Sequence, residues 1–338
     1  MTRHWGSGGA VVAAAVAATL TLGGGALAQS KKLEIVTLPA GSVAHGAASG
    51  IGSVVSQKSD LTLLAAPYAG PQVLVPMVNR GEAAFTLLNV ADTHEAYRGI
   101  KPAYKAAHGN LRLVSVGYEN RVSALTTAKS GIGTIKDIKG RRVAGVYSAH
   151  KTCAAMAAAV MANFGLDWKD VKVVPVPSVV PGVKALGEGR AEVNPCAAIG
   201  MGAVREVNAK TPLKFLSVNP AADAMKRATE HFVGLRAEKA KGGSSDGLTE
   251  DVYVFHYDFY LLTHAKVPDD VVYTVVKTLW NNLDDLRKTH GALRSWKRER
   301  MASTGVTAPY HPGAVKFFKE AGAWNAELEA ERGKLLKN

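Results

Sequence analysis

Ser148-Ala149-His150-Lys151-Thr152 is the densest cluster of reactive polar groups in the chain. Two hydroxyls, an imidazole and an ammonium stand at the start of an alanine-rich stretch with helical spacing. Such groups, with the free backbone N–H groups of a helix start, can hold a carboxylate by charge-assisted hydrogen bonds. The competing reading is plain N-capping by Ser148, with Lys151 in solvent. Asn89 and Asp92 can orient an amide, a hydroxyl or an ammonium group, and equally suit an Asx turn closing a strand. Ser42 and His45 follow Gly41 in a second strand–turn–helix pattern. Tyr68 follows a further strand. In the stretch 252–262, alternation puts Tyr253 and Tyr257 on one face and His256 and Tyr260 on the other. Tyr257 is a candidate for a ligand cleft, against the commoner role of a core aromatic.

None of this amounts to a catalytic apparatus. The sequence has no H-E-x-x-H and no G-x-x-x-x-G-K-[ST], and its G-x-S-x-G match, Gly243-Ser244-Ser245-Asp246-Gly247, falls in a polar loop rather than at a strand-to-helix turn. Its ten histidines are dispersed, and two cysteines make no metal cluster. The expectation is a binding protein rather than an enzyme, with no cofactor and no metal. Ser42, His45, Tyr68, Asn89, Asp92, Ser148, His150, Lys151, Thr152 and Tyr257 are its candidate ligand-binding residues.

These residues need a scaffold that brings separate turns together. Strands are predicted near residues 33–38, 61–66, 85–88, 111–118, 122–127, 142–146, 171–176, 191–194, 213–218 and 252–262. Helical patterns fill most intervals, beginning with residues 45–57. Alternating strands and helices imply an α/β fold with a mostly parallel sheet and helices on both faces. In such sheets ligands gather beyond the carboxyl ends of the strands, where the candidates lie. Pro268-Asp269-Asp270 opens a helix-rich C-terminal portion.

Residues 1–28 read as a secretory signal peptide. Arg3 gives a positive start, residues 10–22 are apolar and uncharged, and Ala26-Leu27-Ala28 is a small-x-small cleavage site. An uncleaved anchor is the alternative, but the apolar run is short for a span of roughly 20 residues. Export to the periplasm with cleavage near Ala28 is expected. Removing these 28 residues from the 338 leaves 310, more than one core commonly uses, so two lobes are expected. The formal charge of +13 is spread in small groups such as Arg141-Arg142. That pattern speaks against nucleic acid and suits anionic ligands. In an oxidising compartment Cys153 and Cys196 form a disulfide or remain two buried thiols; the thiols are the favoured reading.

Four segments carry a resemblance. They are Asn79-Arg80-Gly81-Glu82-Ala83-Ala84-Phe85, Asp137-Ile138-Lys139-Gly140-Arg141-Arg142-Val143, Pro268-Asp269-Asp270-Val271-Val272-Tyr273, and residues 309–322, which begin Pro309-Tyr310-His311-Pro312-Gly313-Ala314. The chain resembles the TAXI group of solute-binding subunits of TRAP transporters, from about Leu33 onward. The resemblance implies a type II periplasmic binding protein, with two α/β lobes joined by crossover strands. Lobe I is expected at residues 29–124 plus 258–338, and lobe II at 125–257. A small organic anion, a carboxylate or acidic amino acid, would be bound and passed to a TRAP membrane subunit. A monomer is expected. The alternative is a periplasmic sensor that presents its ligand to a membrane kinase. Three cleft loops depart from the family: Gly41-Ser42-Val43-Ala44-His45 stands for Gly-Gly-x-Tyr-Tyr, Asn89-Val90-Ala91-Asp92 for Gln-Ser-Asp, and Tyr147-Ser148-Ala149-His150-Lys151 for Gly-Ser-Gly.

Overall fold

A computed structural model describes residues 31–337. The signal-peptide reading therefore lies outside the described residues. The strands are β1 (Lys31–Thr37), β2 (Leu61–Pro67), β3 (Phe85–Asn89), β4 (Leu111–Thr127), β5 (Arg142–Val146), β6 (Lys172–Val176), β7 (Val193–Ala198), β8 (Leu213–Phe215), β9 (Arg236–Ala240) and β10 (Val252–His264). The helices are α1 (Val43–Lys58), α2 (Pro71–Arg80), α3 (Val90–Arg98), α4 (Lys151–Ala162), α5 (Val179–Gly187), α6 (Gly202–Asn208), α7 (Ala222–Thr229), α8 (Asp269–Asn281), α9 (Leu283–Thr289), α10 (Pro312–Glu320) and α11 (Ala326–Lys337). Among the described residues, no helix is long and apolar enough to cross a membrane.

The strand order β2-β1-β3-β10-β4-β7-β5-β6 has two parallel wings and an antiparallel centre. In one wing β1 pairs in parallel with β2 and β3; in the other β5 pairs in parallel with β6 and β7. The centre is β10 against β4, whose outer edges take β3 and β7. Each wing is an α/β lobe, and the two long strands cross from one to the other. Parallel strands read as near-continuous apolar runs because both faces are covered. All five residues of β3, Phe-Thr-Leu-Leu-Asn, are buried.

Two expectations are corrected here. Residues 111–118 and 122–127 are one strand of 17 residues, not two. The polar stretch Glu119-Asn120-Arg121 looks like a break in the sequence, but it pairs in register with Asp258, Tyr257 and His256. Its charge is met from both sides. Arg300 places one guanidinium nitrogen 2.8 Å from Glu119 and another 2.6 Å from Asp258, and Arg236 reaches Glu119 at 3.2 Å. Strand β9 (Arg-Ala-Glu-Lys-Ala) was not foreseen, because its residues have little strand propensity; pairing with β10 alone holds it in the sheet.

Candidate functional site

Five helices begin around one cavity between the wings. Ser42, the N-cap of α1, lines it, as do Asn89, the N-cap of α3, and His150, the N-cap of α4. Val179, the first residue of α5, and Met201, the N-cap of α6, complete the set. The parallel wings explain this convergence, since each strand hands over to a helix at its carboxyl end. Every helix start carries unpaired N–H groups and the positive end of the peptide dipoles. The positive ends of these helices face the cavity, and no Lys or Arg lines it.

The remaining wall is mixed. Asn120 and Tyr257 face the cavity from the two crossing strands, and the Asn120 amide donates to the Tyr257 hydroxyl at 2.9 Å. The Tyr257 ring packs against Phe232 at 4.9 Å between centroids and against Phe259 at 6.0 Å. Leu38, Val43, Val122 and Met156 add aliphatic surface. Two buried polar atoms of the wall have no partner, Asn120 Oδ1 and His150 Nδ1, and the Thr152 hydroxyl has only the Asp92 carboxyl behind the wall to interact with. Each such group costs about 1–3 kcal/mol unless something pairs with it. The free space is about 40 Å³. At about 10–15 Å³ for each water-sized occupant, that is room for a few waters.

His150 is buried, and burial pushes its imidazole down to about 4, so it is neutral at pH 7. It is placed by an unusual turn. Val146 (φ 65°) and Tyr147 (φ 45°) both lie in the left-handed region, which a β-branched residue rarely enters. The turn is fixed by the buried Tyr147 ring, whose hydroxyl donates to Asn194 Oδ1 at 2.7 Å. The His150 N–H then donates to the Tyr147 carbonyl at 2.8 Å.

Asp92 lies immediately behind the wall and is fully buried. Its Oδ2 accepts from the Asn89 amide at 2.7 Å, and its own N–H donates to Asn89 Oδ1 at 2.8 Å. The Thr152 and Tyr104 hydroxyls approach the carboxyl without closing a well-aligned hydrogen bond, and Oδ1 stays unpartnered. Burial raises this carboxyl to about 7, against the smaller opposing pull of Thr152 and Asn89.

The structure thus gathers Ser42, Asn89, His150, Thr152 and Tyr257 around one cavity, with Asp92 behind them. It sets four other candidates apart from the lining. The side chain of Ser148 is exposed, and the N-cap of α4 is His150. Lys151 contributes its backbone N–H, which donates to Gln72 Oε1 at 2.9 Å. His45 is one turn into α1, and Tyr68 packs against the core. Asn120, Phe232 and Phe259 were missed. A polar residue between two apolar runs marks Asn120, whereas Phe232 lies outside any regular element and leaves no periodic signal.

Cys153 and Cys196 also line the cavity, joined as a disulfide with Cα atoms 5.7 Å apart. This corrects the preference for two thiols: α4 packs on β7 and brings the pair within bonding distance. Among the described residues no group of three or more His, Cys, Asp or Glu is arranged to hold a metal ion.

The lobes meet across this cavity at backbone level. Ala203 N–H donates to the Gly41 carbonyl at 3.1 Å. A Cβ on Gly70 would overlap the Ala149 carbonyl oxygen. This is a closed conformation.

The same architecture recurs in solved structures of low identity. A periplasmic transporter structure superposes with a TM-score of 0.57 at 12% identity, covering 91% of this chain and 97% of that one. PhnD1 from Prochlorococcus marinus, solved with methylphosphonate, gives 0.52 at 10% identity over 87% and 99%. The ligand-binding component of an ABC-type import system from Staphylococcus aureus, solved with zinc, gives 0.51 at 9% over 88% and 94%. These likenesses establish the two-lobed binding-protein fold. The NMT1-like family matches residues 35–322, and the chain is a member of that family.

Proposed function

We propose that this protein is a periplasmic solute receptor that captures a small organic anion between its lobes. It releases the anion to a membrane transporter, and the four resembling segments favour a TRAP subunit of the TAXI group. The single observation that carries this reading is the convergence of five helix starts on one cavity with unpartnered polar atoms. Helix starts supply positive potential without a charged side chain. The absence of Lys and Arg from the lining, together with the aromatic and aliphatic wall, favours one anionic head on a compact apolar body. A monocarboxylate fits that description better than a dianion. Ser42, Asn89, Asn120, His150 and Thr152 would grip the head; Tyr257, Phe232 and Phe259 would pack the body.

Export through residues 1–28 and action in the periplasm are parts of the same proposal. So is the lobe division at residues 29–124 plus 258–338 and 125–257. No chemistry is performed on the solute. Its contacts to both lobes favour the closed state over the open one.

Thermal unfolding of residues 29–338 against monocarboxylates, dicarboxylates, amino acids and sugars tests the reading. A ligand at 100 times its Kd stabilises the folded state by about 2.7 kcal/mol. The expected result is a rise in Tm with one class of monocarboxylate. A rise only with sugars or cationic compounds would refute the anion assignment, and no rise with any compound would refute the receptor.

A further inference from the structure

Asp92 and Thr152 belong to opposite lobes. Asp92 is on α3, behind β3; Thr152 is in the first turn of α4, behind β5. Their approach exists only in the closed form. In this conformation the Asp92 carboxyl is completely sealed from water, among Asn89, Thr152, Tyr104 and Tyr257. Asn89 and Thr152 also line the solute cavity, so an ionised Asp92 places its charge directly behind the groups that would hold an anion. Its Oδ1 has no partner. We propose that lobe closure takes up one proton from solvent at Asp92, so that solute and proton are captured in the same step.

The surrounding groups leave Asp92 as the group that changes charge near neutrality. Glu95, on the same helix, is partly buried and also raised, and its charge adds to the cost of ionising Asp92. Tyr104, from the segment after α3, is held well above its ordinary value by burial, as is Tyr257 on β10. His150 is neutral throughout the range because burial holds it at about 4. No Lys or Arg is among the main influences on Asp92. In the open form Asp92 regains water and the ordinary acidity of a carboxyl.

The proposal rests on the receptor reading for the closure it describes, but its test needs no solute. Small-angle scattering of the unliganded protein is measured between pH 5.5 and 8.5. The expected result is a smaller radius of gyration at low pH, with the change falling at or below the carboxyl's closed-form value of about 7. Asp92→Asn keeps the Asn89 contacts without the charge, and should hold the compact value at both ends. Thr152→Val removes a donor that favours the ionised form, and should move the midpoint to higher pH. It also serves if Asp92→Asn fails to fold. A radius that does not change with pH in the wild type, or that changes equally in Asp92→Asn or Thr152→Val, would overturn the proton uptake. Either result leaves the solute panel to decide the receptor reading separately.

Discussion

Gln72 Oε1 accepts the Lys151 backbone N–H at 2.9 Å, which joins α2 of one lobe to α4 of the other. The bond uses one of the free N–H groups that a helix start offers. It explains how Lys151 takes part in closure without lining the cavity. Beside it Gly70, the N-cap of α2, lies against the Ala149 carbonyl, and Gly41 accepts from Ala203. Two backbone contacts and one side-chain-to-backbone hydrogen bond thus join the lobes around the cavity.

Gly70→Ala follows from this geometry. The added methyl would occupy the position of the Ala149 carbonyl oxygen, and both neighbours are backbone, so neither can swing away. The open form has no such conflict. The variant should fold with a Tm close to wild type yet bind the stabilising solute at least about tenfold more weakly, or about 1.4 kcal/mol. Isothermal titration beside thermal unfolding reads both quantities. Wild-type affinity in the variant would show that binding does not require this closure.

The pH dependence of stability contains two opposing contributions. His150 falls from its ordinary 6.5 to about 4 on folding, so the unfolded chain binds more protons between those values. Stability from His150 is therefore present above pH 6.5 and lost as pH falls toward 4. Asp92 rises from 3.8 to about 7, so the folded chain binds more protons in that interval. Its contribution is present below pH 3.8 and lost as pH rises through about 7. Each is on the order of 3–4 kcal/mol at full extent, and they largely cancel in the wild type. Chemical denaturation should find Asp92→Asn gaining stability as pH rises from 4 to 6.5, and His150→Gln losing it from 4 to 7. Parallel profiles for the two variants would refute the assignment.

The disulfide fastens α4 to β7 inside one lobe and shapes the cavity wall with both its residues. It closes a chain separation of 43 residues. Loop entropy for such a separation corresponds to roughly 4 kcal/mol, as an upper figure. Cys153→Ala with Cys196→Ala should lower stability by about 2–4 kcal/mol and weaken solute binding as well, because the start of α4 loses its tether. Unchanged denaturation midpoints would mean that packing of α4 on β7 suffices.

Much of the frame could be read from residue order. The strand at residues 142–146 has the bounds of β5, and the helix predicted at 45–57 differs from α1 (Val43–Lys58) by two residues at its start. Both are local patterns: an apolar run, a turn, a small-residue helix. What escaped was set by distant partners. The Glu119-Asn120-Arg121 stretch stays in the sheet because Arg300, 181 residues away from Glu119, neutralises it. Lys151 looked like the anion grip because it is the cation of its cluster. His150, however, has a non-helical backbone (φ −142°, ψ 71°), and it and Thr152 supply the cavity wall. That conformation depends on the turn at Val146 and Tyr147, which no periodicity announces.

The turn itself gives the last prediction. Val146 is 48% exposed, so its side chain contributes little packing, while its φ of 65° opposes a β-branched residue. The left-handed region costs an L residue roughly 1–2 kcal/mol, and glycine enters it freely at an entropic cost of about 0.5–1 kcal/mol. Val146→Gly should therefore stabilise the protein by about 0.5–1 kcal/mol. Tyr147→Phe, in contrast, removes the hydroxyl that pins the turn to Asn194 while leaving the buried ring in place. It should destabilise by about 1–2 kcal/mol and loosen His150 from the cavity, so solute affinity falls with it. Denaturation of the two variants side by side separates the effects. If Val146→Gly destabilised the protein, the left-handed backbone at this turn would carry no strain.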